Sequence, residues 1–273
     1  MKKPDARDFF IDTYPINPYP NPWDYVVDSY DIRSKSRRLW IKDEIYAELV
    51  KKLFDECKCN TILDVGCGAG AMSILLSDRF RVYSLDLSNR MLERLKTRAK
   101  ELKKDVSAII NADNQKIPFK SNSFDGTLCK FALWPVPNPE EAIKEMVRVT
   151  RPKGRIIIIE VDRRNGDELN LRSKLVYRTY KVLKKFVRVR DWKKQKTLLH
   201  DDEAWKIIRE TTKNNPKINL KFTREVLEGC GCEITAVDTT IKTKINGFLG
   251  KISGGQCGGH NYFLICGEKR GGR

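Results

Sequence analysis

The stretch TILDVGCGAG, residues 61–70, decides the fold of this chain. A strand-compatible run that contains Asp64 leads into three glycines at alternate positions, Gly66, Gly68 and Gly70, and the helix-compatible run AMSILLS follows at once. Glycine lets the backbone turn sharply and approach a ligand closely, because no Cβ blocks the way. The start of a helix presents free N–H groups to whatever lies in the turn. The sequence therefore predicts a strand, a turn and a helix that together bind a nucleotide-type ligand.

The spacing of the glycines leaves two kinds of nucleotide ligand to weigh. Gly66, Gly68 and Ala71 formally satisfy the dinucleotide fingerprint G-x-G-x-x-G/A, which is typical of nicotinamide cofactor sites. Asp64, however, comes two residues before the first glycine, where a carboxylate would face a pyrophosphate and repel it. A carboxylate at that position favours a ligand that carries a positively charged amino group.

In this segment the chain resembles the class I S-adenosylmethionine (SAM) methyltransferases, whose first motif reads [DE]-x-G-x-G-x-G. The resemblance covers residues 62–161, and the part that begins at IPFKSNSFDGT is similar to the type 11 subgroup typified by ubiquinone/menaquinone-biosynthesis methyltransferases. It implies SAM as the cofactor, with the glycine loop against its methionine part. It also implies an α/β fold, a Rossmann-like seven-stranded sheet with a C-terminal antiparallel hairpin, here with a helical insertion after strand five.

Further candidate site residues follow in the order of that family. The predicted strand RVYSLD ends at Asp86, about twenty residues after Asp64, the offset at which such sheets place an acid on ribose hydroxyls. Ser88 then reads as a helix N-cap. The resemblance implies that Met91 packs on the adenine and that Asp113 contacts its amino group. The cofactor-binding candidates are Asp64, Gly66, Cys67, Gly68, Gly70, Asp86, Leu87, Met91, Asp113, Asn114 and Cys129.

The remaining elements and four segments can be placed along the chain. Asn138, Pro139 and Glu141 signal a helix start, and the turn RPKG (151–154) is expected to end that helix before a strand over 155–161. EITAVDTTIKTKI and HNYFLICGEK read as the two C-terminal strands. We expect an N-terminal arm and lid helix (1–50), a SAM-binding core (51–162), a basic helical cap (163–220) and a helix with the hairpin that complete the core (221–273).

The positive charge of the chain lies mainly in the insertion. The formal net charge is +17, and residues 163–221 hold 18 Lys/Arg against 7 Asp/Glu. Apolar residues in its densest part recur at helical spacing. A solvated amphipathic cover helix, a surface for an anionic substrate or RNA, and contact with an acidic membrane surface all remain open.

Residues that line the methyl acceptor are harder to identify. CKFALW (129–134) follows the predicted fourth strand and lacks the [DN]-P-P-[YF] signature of enzymes that methylate base amines. A general base is needed only if the acceptor must lose a proton, and the weak catalytic candidates are His200, Cys129 and Tyr30. Tyr30, Arg33 and Arg38 are also candidates for the cofactor carboxylate. Candidates for an aromatic cover over a flat or cationic acceptor are Trp134, Tyr177, Tyr180 and Trp205.

Composition indicates the setting of the protein. The 273 residues include no apolar run of membrane-spanning length and no apolar core of a signal peptide, so a cytoplasmic protein is expected. The close pairs Cys57/Cys59 and Cys230/Cys232 lack the usual C-x2-4-C zinc spacing and a nearby histidine, which favours ordinary thiols and no metal.

These observations favour a SAM-dependent methyltransferase that acts on a small-molecule acceptor. Two alternatives remain at this stage. One is an RNA methyltransferase that uses the basic insertion to hold tRNA or rRNA, and the other is a non-catalytic SAM-binding protein. The oligomeric state and the acceptor atom are not determined by the sequence.

Overall fold

A seven-stranded mixed sheet forms the centre of the protein. In this computed structural model the described residues are 21–27, 37–162, 202–241, 244 and 261–271. The strands are β1 (Thr61–Val65), β2 (Arg81–Asp86), β3 (Ala108–Asn111), β4 (Phe124–Lys130), β5 (Thr150–Asp162), β6 (Cys232–Asp238) and β7 (Asn261–Lys269). Their order is β3-β2-β1-β4-β5-β7-β6, and β7 alone runs antiparallel to its neighbours. The predicted sheet and its closing hairpin are confirmed.

Helices cover both faces of the sheet. They are α1 (Arg37–Glu56), α2 (Ala71–Leu76), α3 (Asn89–Glu101), α4 (Pro139–Val149), α5 (Asp202–Thr211) and α6 (Leu220–Gly229). Side chains of α1 and α2 pack on one face, and side chains of α4 and α6 pack on the other. Because successive strand residues point to opposite faces, Ile156 and Ile158 join one core cluster while Ile157 and Ile159 join the other. The unbroken isoleucine run in β5 is the pattern of a strand that is buried on both sides.

The helix start signals read from the sequence are present as hydrogen bonds. Ser88 Oγ accepts the Met91 N–H at 3.1 Å at the start of α3. Asn138 Oδ1 accepts the Glu141 N–H at 3.3 Å, and Pro139 occupies the first position of α4. Each cap satisfies a backbone donor that has no partner within the helix.

Three local predictions differ from the structure. Strand β5 starts at Thr150, directly after α4, so the RPKG segment lies within the strand as an irregularity around Lys153, whose φ is +62°. Strand β6 ends at Asp238, whereas the pattern extended it to Ile245, because Ile241 and Lys244 are helical. Residues Pro22–Tyr25, within the segment 1–50 that was expected to hold an arm and a lid helix, form a 3₁₀ turn. Period-two and helical patterns do not distinguish such short or irregular backbone.

Helices in the described parts of the chain are too short or too polar to cross a lipid bilayer.

Candidate functional site

The glycine loop between β1 and α2 has the left-handed backbone that its sequence requires. Gly66, Gly68 and Gly70 have φ values of +71°, +53° and +82°. Their surroundings nevertheless differ. A Cβ on Gly66 would overlap Ala132 Cβ, and one on Gly70 would overlap the Leu95 side chain, whereas one on Gly68 would meet no atom of the described residues within 4 Å. Two glycines are therefore needed for packing, and Gly68 opens onto free space at the carboxyl end of the sheet.

Asp86, at the end of β2, holds the tip of this loop. One of its carboxylate oxygens accepts the Gly68 N–H and the other accepts the Ser88 N–H, both at 2.8 Å. Burial raises the pKa of this carboxyl, while the two backbone hydrogen bonds act in the opposite direction. A carboxylate has about four lone-pair positions, so each oxygen can accept a further hydrogen bond from a ligand.

Asp64 is buried beneath the loop. It is 1% exposed, and Ser73 Oγ on α2 donates to its Oδ2 at 2.5 Å. Ser84 Oγ donates to Ser73 Oγ at 2.8 Å and extends this hydrogen-bonded row to β2. Burial raises the pKa of Asp64 to about 6, and the nearby Asp86 carboxylate adds to the rise. Burial therefore destabilises the charge of Asp64, although the Ser73 hydrogen bond and the nearby Lys130 ammonium act in the opposite direction.

The segment that follows β4 packs directly against the glycine loop. Phe131 has a φ of +56°, which is uncommon for a residue with a side chain, and its N–H donates to Ile159 O at 2.8 Å. The fully buried Glu160 accepts the N–H groups of Leu133 at 3.1 Å and Trp134 at 3.3 Å through Oε2. The carboxylate of Glu160 thus fixes the turn from which Trp134 projects.

The N-terminal 3₁₀ turn lies across the start of α3. Asp24 Oδ1 accepts a short hydrogen bond from Ser88 Oγ and a longer one, 3.4 Å, from the Arg90 N–H. A carboxylate is favoured there because the start of a helix carries partial positive charge. Ser88 therefore links Asp24 to Asp86, because its hydroxyl donates to Asp24 and its N–H donates to Asp86, which also holds Gly68.

Three tryptophans from distant parts of the chain meet next to this turn. The Trp23 ring lies 5.6 Å from that of Trp134 and 5.9 Å from that of Trp205, edge to face in both pairs. These rings border a small apolar cluster. Its buried members are Val26, Val27, Ala69, Met91 and Ile208. Since Ala69 belongs to the glycine loop, the cluster covers one side of the candidate cofactor site.

The remaining candidates occupy distinct positions around the site. Asp113 lies two residues past β3, and its carboxylate accepts the backbone and side-chain N–H groups of Gln115 at 2.8 to 3.1 Å. Met91 is buried in the first turn of α3, and Leu87 is 41% exposed. Cys67 and Asn114 are partly exposed. Burial raises the pKa of Cys67, and the Asp86 and Asp64 carboxylates raise it further.

Of the three weak catalytic candidates, Cys129 alone lies among the described residues. Cys129 is fully buried within β4, and burial raises its pKa well above the ordinary thiol value, which disfavours the thiolate that a nucleophile needs. Tyr30 and His200 lie outside the described residues, as do Arg33, Tyr177 and Tyr180, and the side chain of Arg38 is not described.

Sequence reasoning missed several residues that build the site. Asp24 and Trp23 were seen only as part of a lid segment, and Ser73, Ala132 and Glu160 were not singled out. The acid that follows the isoleucine run was the one available signal for Glu160, because a carboxylate in a doubly buried strand requires hydrogen-bond donors nearby. Contacts between segments tens of residues apart leave no such local signal.

The polar groups of the site fit S-adenosylmethionine better than a dinucleotide. Gly68 leaves room for close approach of a ligand to the backbone. Asp86 offers acceptors to a ribose diol, and Asp64 and Asp86 make this end of the sheet negative. A cation is attracted by these carboxylates, whereas a pyrophosphate is repelled. Among the described residues, no group of three or more His, Cys, Asp or Glu side chains is arranged to hold a metal ion.

Comparison with known proteins agrees with this geometry. Residues 63–158 match the family model described as "Methyltransferase domain". The chain is 35% identical over 104 residues to the demethylmenaquinone methyltransferase of Oceanobacillus iheyensis, covering 37% of this chain and 44% of that protein. It is 32% identical over 99 residues to the phosphatidylethanolamine N-methyltransferase of Cereibacter sphaeroides, covering 36% and 49%. The matched part thus spans about half the length of these curated relatives.

A solved structure shares the fold across more of the chain. The geranyl diphosphate C-methyltransferase of Streptomyces coelicolor, determined with S-adenosylhomocysteine, aligns with a TM-score of 0.51 at 15% identity. The alignment covers 77% of this chain and 72% of that one, which shows a common fold. Within residues 63–158, the family model and the demethylmenaquinone methyltransferase relatives support a class I S-adenosylmethionine-dependent methyltransferase domain of the type 11 kind.

Proposed function

We propose that this protein is a SAM-dependent methyltransferase that acts on a small-molecule acceptor. The observation that carries the proposal is the open space beside Gly68, whose N–H Asp86 accepts, with a second carboxylate, Asp64, buried at the end of the preceding strand. SAM carries a ribose diol, a positively charged amino group and a sulfonium. The two carboxylates offer hydrogen-bond acceptors to the ribose diol and negative charge to the amino group and the sulfonium. The carboxylate of Asp86 would accept the ribose hydroxyls while it keeps Gly68 in place.

Methyl transfer from a sulfonium is an in-line displacement, so the protein needs mainly to align the acceptor and to keep water out. Among the described residues beside the glycine loop, those that could align an acceptor and exclude water are apolar. Val27 and Met91 are buried beside the glycine loop, and Trp134 projects from the turn that Glu160 holds. A base is not required by this chemistry unless the acceptor must lose a proton.

The tryptophan cluster supports an acceptor with an apolar or flat part. Trp23, Trp134 and Trp205 present ring surface at the side of the site where the post-β4 turn and α5 meet. Aromatic rings stabilise apolar or aromatic ligands through area burial and edge-to-face contacts. Two of the similar proteins are named for small-molecule acceptors, a demethylmenaquinone and a phosphatidylethanolamine. We further propose that residues 163–220 cap the acceptor side, because α5 at the end of this segment packs on the 3₁₀ turn.

Binding and turnover can be tested separately. Calorimetry with SAM, S-adenosylhomocysteine and NAD is expected to give heat with the first two and none with the third. Binding of NAD without SAM would contradict the cofactor assignment. Labelled methyl from SAM, supplied with extracts divided into metabolite and RNA fractions, is expected to appear in the metabolite fraction. Label in the RNA fraction alone would replace the small-molecule acceptor with RNA, and label in neither would favour a non-catalytic SAM-binding protein.

A further inference from the structure

The end of α1 brings two thiols into contact at the face of the molecule opposite the cofactor loop. Cys57 Sγ and Cys59 Sγ lie 2.8 Å apart, and both cysteines are free thiols. Cys57 is half-buried, whereas Cys59 is 1% exposed. This pair precedes β1, while the glycine loop follows it. Five strand residues at roughly 3.3 Å each place the two features about 16 Å apart.

The helix C-cap explains why this C-x-C sequence brings its sulfurs together. The Cys59 N–H donates to Phe54 O, and the Lys58 N–H donates to Asp55 O, each at 3.0 Å. Lys58 has a φ of +55°. These are the two hydrogen bonds and the left-handed residue of a Schellman motif, which turns the chain sharply after a helix. The two cysteines therefore lie on either side of the left-handed residue of this turn, and their sulfurs are in contact.

The surroundings make the two thiols chemically unequal. The Cys59 hydrogen bond lowers the pKa of Cys57, and the positive Arg155 guanidinium acts in the same direction against desolvation. The hydrogen bond to Cys57, together with burial, raises the pKa of Cys59 well above the ordinary thiol value. A partly exposed thiol with a lowered pKa is suited to attack a disulfide and form a mixed disulfide. A buried thiol in contact with it is suited to attack that mixed disulfide and form a disulfide within the protein.

The second C-x-C sequence of the chain provides an internal comparison. Cys230 and Cys232 also flank a residue with positive φ, Gly231 at +79°. No sulfur–sulfur contact joins these two described cysteines, and burial raises the pKa of both thiols. Identical spacing therefore gives a different chemical environment at the two positions.

We propose that Cys57 and Cys59 form a dithiol modification site that is oxidised reversibly by small disulfides such as glutathione disulfide. The Cys57 thiolate attacks one sulfur of the small disulfide, which forms a mixed disulfide and releases one thiolate. Cys59 then loses its proton and attacks the Cys57 sulfur, which closes the Cys57–Cys59 bond and releases the second thiolate. In total two protein thiols are oxidised to one disulfide, and one small disulfide is reduced to two thiols.

The sequence between the two cysteines allows a direct test. The full chain is equilibrated in a series of glutathione redox buffers, and its remaining thiols are alkylated under denaturing conditions. Trypsin cleaves after Lys58, so a Cys57–Cys59 disulfide keeps peptides 53–58 and 59–79 joined until a reductant is added. We expect the disulfide-joined peptides to appear at a lower ratio of glutathione disulfide to glutathione than the ratio at which Cys230 or Cys232 becomes oxidised. Fragmentation distinguishes Cys59 from Cys67, which lies in the same peptide and is expected to remain alkylated.

Two variants separate the roles of the thiols. Cys59→Ser is expected to leave Cys57 as a stable mixed disulfide with glutathione, and Cys57→Ser is expected to leave Cys59 unmodified. Circular dichroism checks that both variants fold. SAM affinity, measured on the oxidised and reduced protein, should agree within about twofold because the pair lies at the opposite end of β1. Three results would each overturn the proposal. They are a single glutathione on wild-type Cys57, parallel oxidation of both C-x-C pairs, and full alkylation throughout the series.

Discussion

Burial of the Asp64 carboxylate under the cofactor loop lowers the stability of the folded protein. Its folded-state pKa of about 6, against an ordinary value of 3.8, means that the folded chain binds this proton more tightly than the unfolded chain does. The resulting stabilisation is fully present below about pH 4 and is lost as the pH rises through about 6. At neutral pH the buried charge therefore destabilises the ligand-free protein by about 3 kcal/mol relative to an unshifted carboxyl.

Asp64→Asn is accordingly expected to raise the thermal midpoint of the ligand-free protein at about pH 8 and to have little effect near pH 4. The amide oxygen can still accept the Ser73 hydroxyl, so the hydrogen bond is retained while the charge is removed. Thermal unfolding at the two pH values, together with SAM calorimetry, tests this. We expect cofactor binding to weaken in the same variant. An equal change in midpoint at both pH values would show that the charge of Asp64 is not the cause.

Gly68 is expected to be a binding residue rather than a packing residue, unlike the other two loop glycines. Gly68→Ala should abolish SAM binding, because its Cβ would occupy the space that a ligand approaches, and should cost only the backbone strain in stability. Gly231→Ala is the matched control, since Gly231 also has positive φ, meets none of the described atoms within 4 Å of an added Cβ, and lies away from the site. Equal loss of SAM affinity in both variants would show that strain, and not the ligand space, is responsible.

The 3₁₀ turn is joined to the start of helix α3 by hydrogen bonds. Asp24 accepts hydrogen bonds from Ser88 and Arg90 at the start of α3, and Trp23 on the same turn contacts Trp134 and Trp205. One short turn thereby connects the N-terminal segment, the post-β4 turn and α5. Residues of this turn pack in one apolar cluster with Ala69 and Met91, and we propose that the turn would cover the cofactor.

Asp24→Ala should therefore speed the release of cofactor. Loss of a hydrogen bond to a charged group is worth about 1.5 kcal/mol, which corresponds to about tenfold in affinity. Stopped-flow tryptophan fluorescence measures the dissociation rate, with Trp23 as a probe on the turn itself. Tyr25→Ala is the control on the same turn, because Tyr25 is 49% exposed. Dissociation that is equally fast in both variants, or unchanged in Asp24→Ala, would argue against a role of the turn in cofactor retention.

At the level of the whole molecule, the basic insertion is expected to serve the acceptor and not the cofactor. A deletion should remove residues 171–198 and stop before α5, because Trp205 and Ile208 on that helix pack with the 3₁₀ turn. We expect this variant to bind SAM within a few-fold of the wild type and to lose methyl transfer. Retained turnover would contradict the proposed cap.

The same segment gives a test of the RNA alternative. A small-molecule enzyme is expected to bind bulk tRNA weakly, whereas an RNA enzyme would bind it tightly with a steep salt dependence, a slope of about −0.7 per single-strand phosphate contact. Titration at two salt concentrations measures this slope. The insertion lysines to replace with glutamate are Lys174, Lys181, Lys184 and Lys185. Submicromolar binding at physiological salt that these replacements remove, with SAM binding intact, would favour RNA as the acceptor.

The sequence by itself determined the features that depend on neighbouring residues. The glycine loop, the strand that ends in Asp86 and the N-caps at Ser88 and Asn138 could all be read, because caps and left-handed turns are local and each needs a particular residue type. The sheet followed from the resemblance to a family whose strand order is fixed. Irregular segments such as the RPKG bulge were misread, because the pattern of a turn and that of a bulged strand are alike.

Only the tertiary structure decided which distant side chains meet. Asp24 and Ser88 are 64 residues apart in sequence, and Trp23 reaches Trp134 and Trp205 from still farther away. The unequal roles of the three loop glycines also depend on what packs beside them, Ala132 at Gly66 and Leu95 at Gly70. Such contacts are set by the register of strands and the packing of helices on the sheet. A local sequence pattern constrains the backbone of its own segment, whereas the partner of a side chain is fixed only when the layers close around a common core.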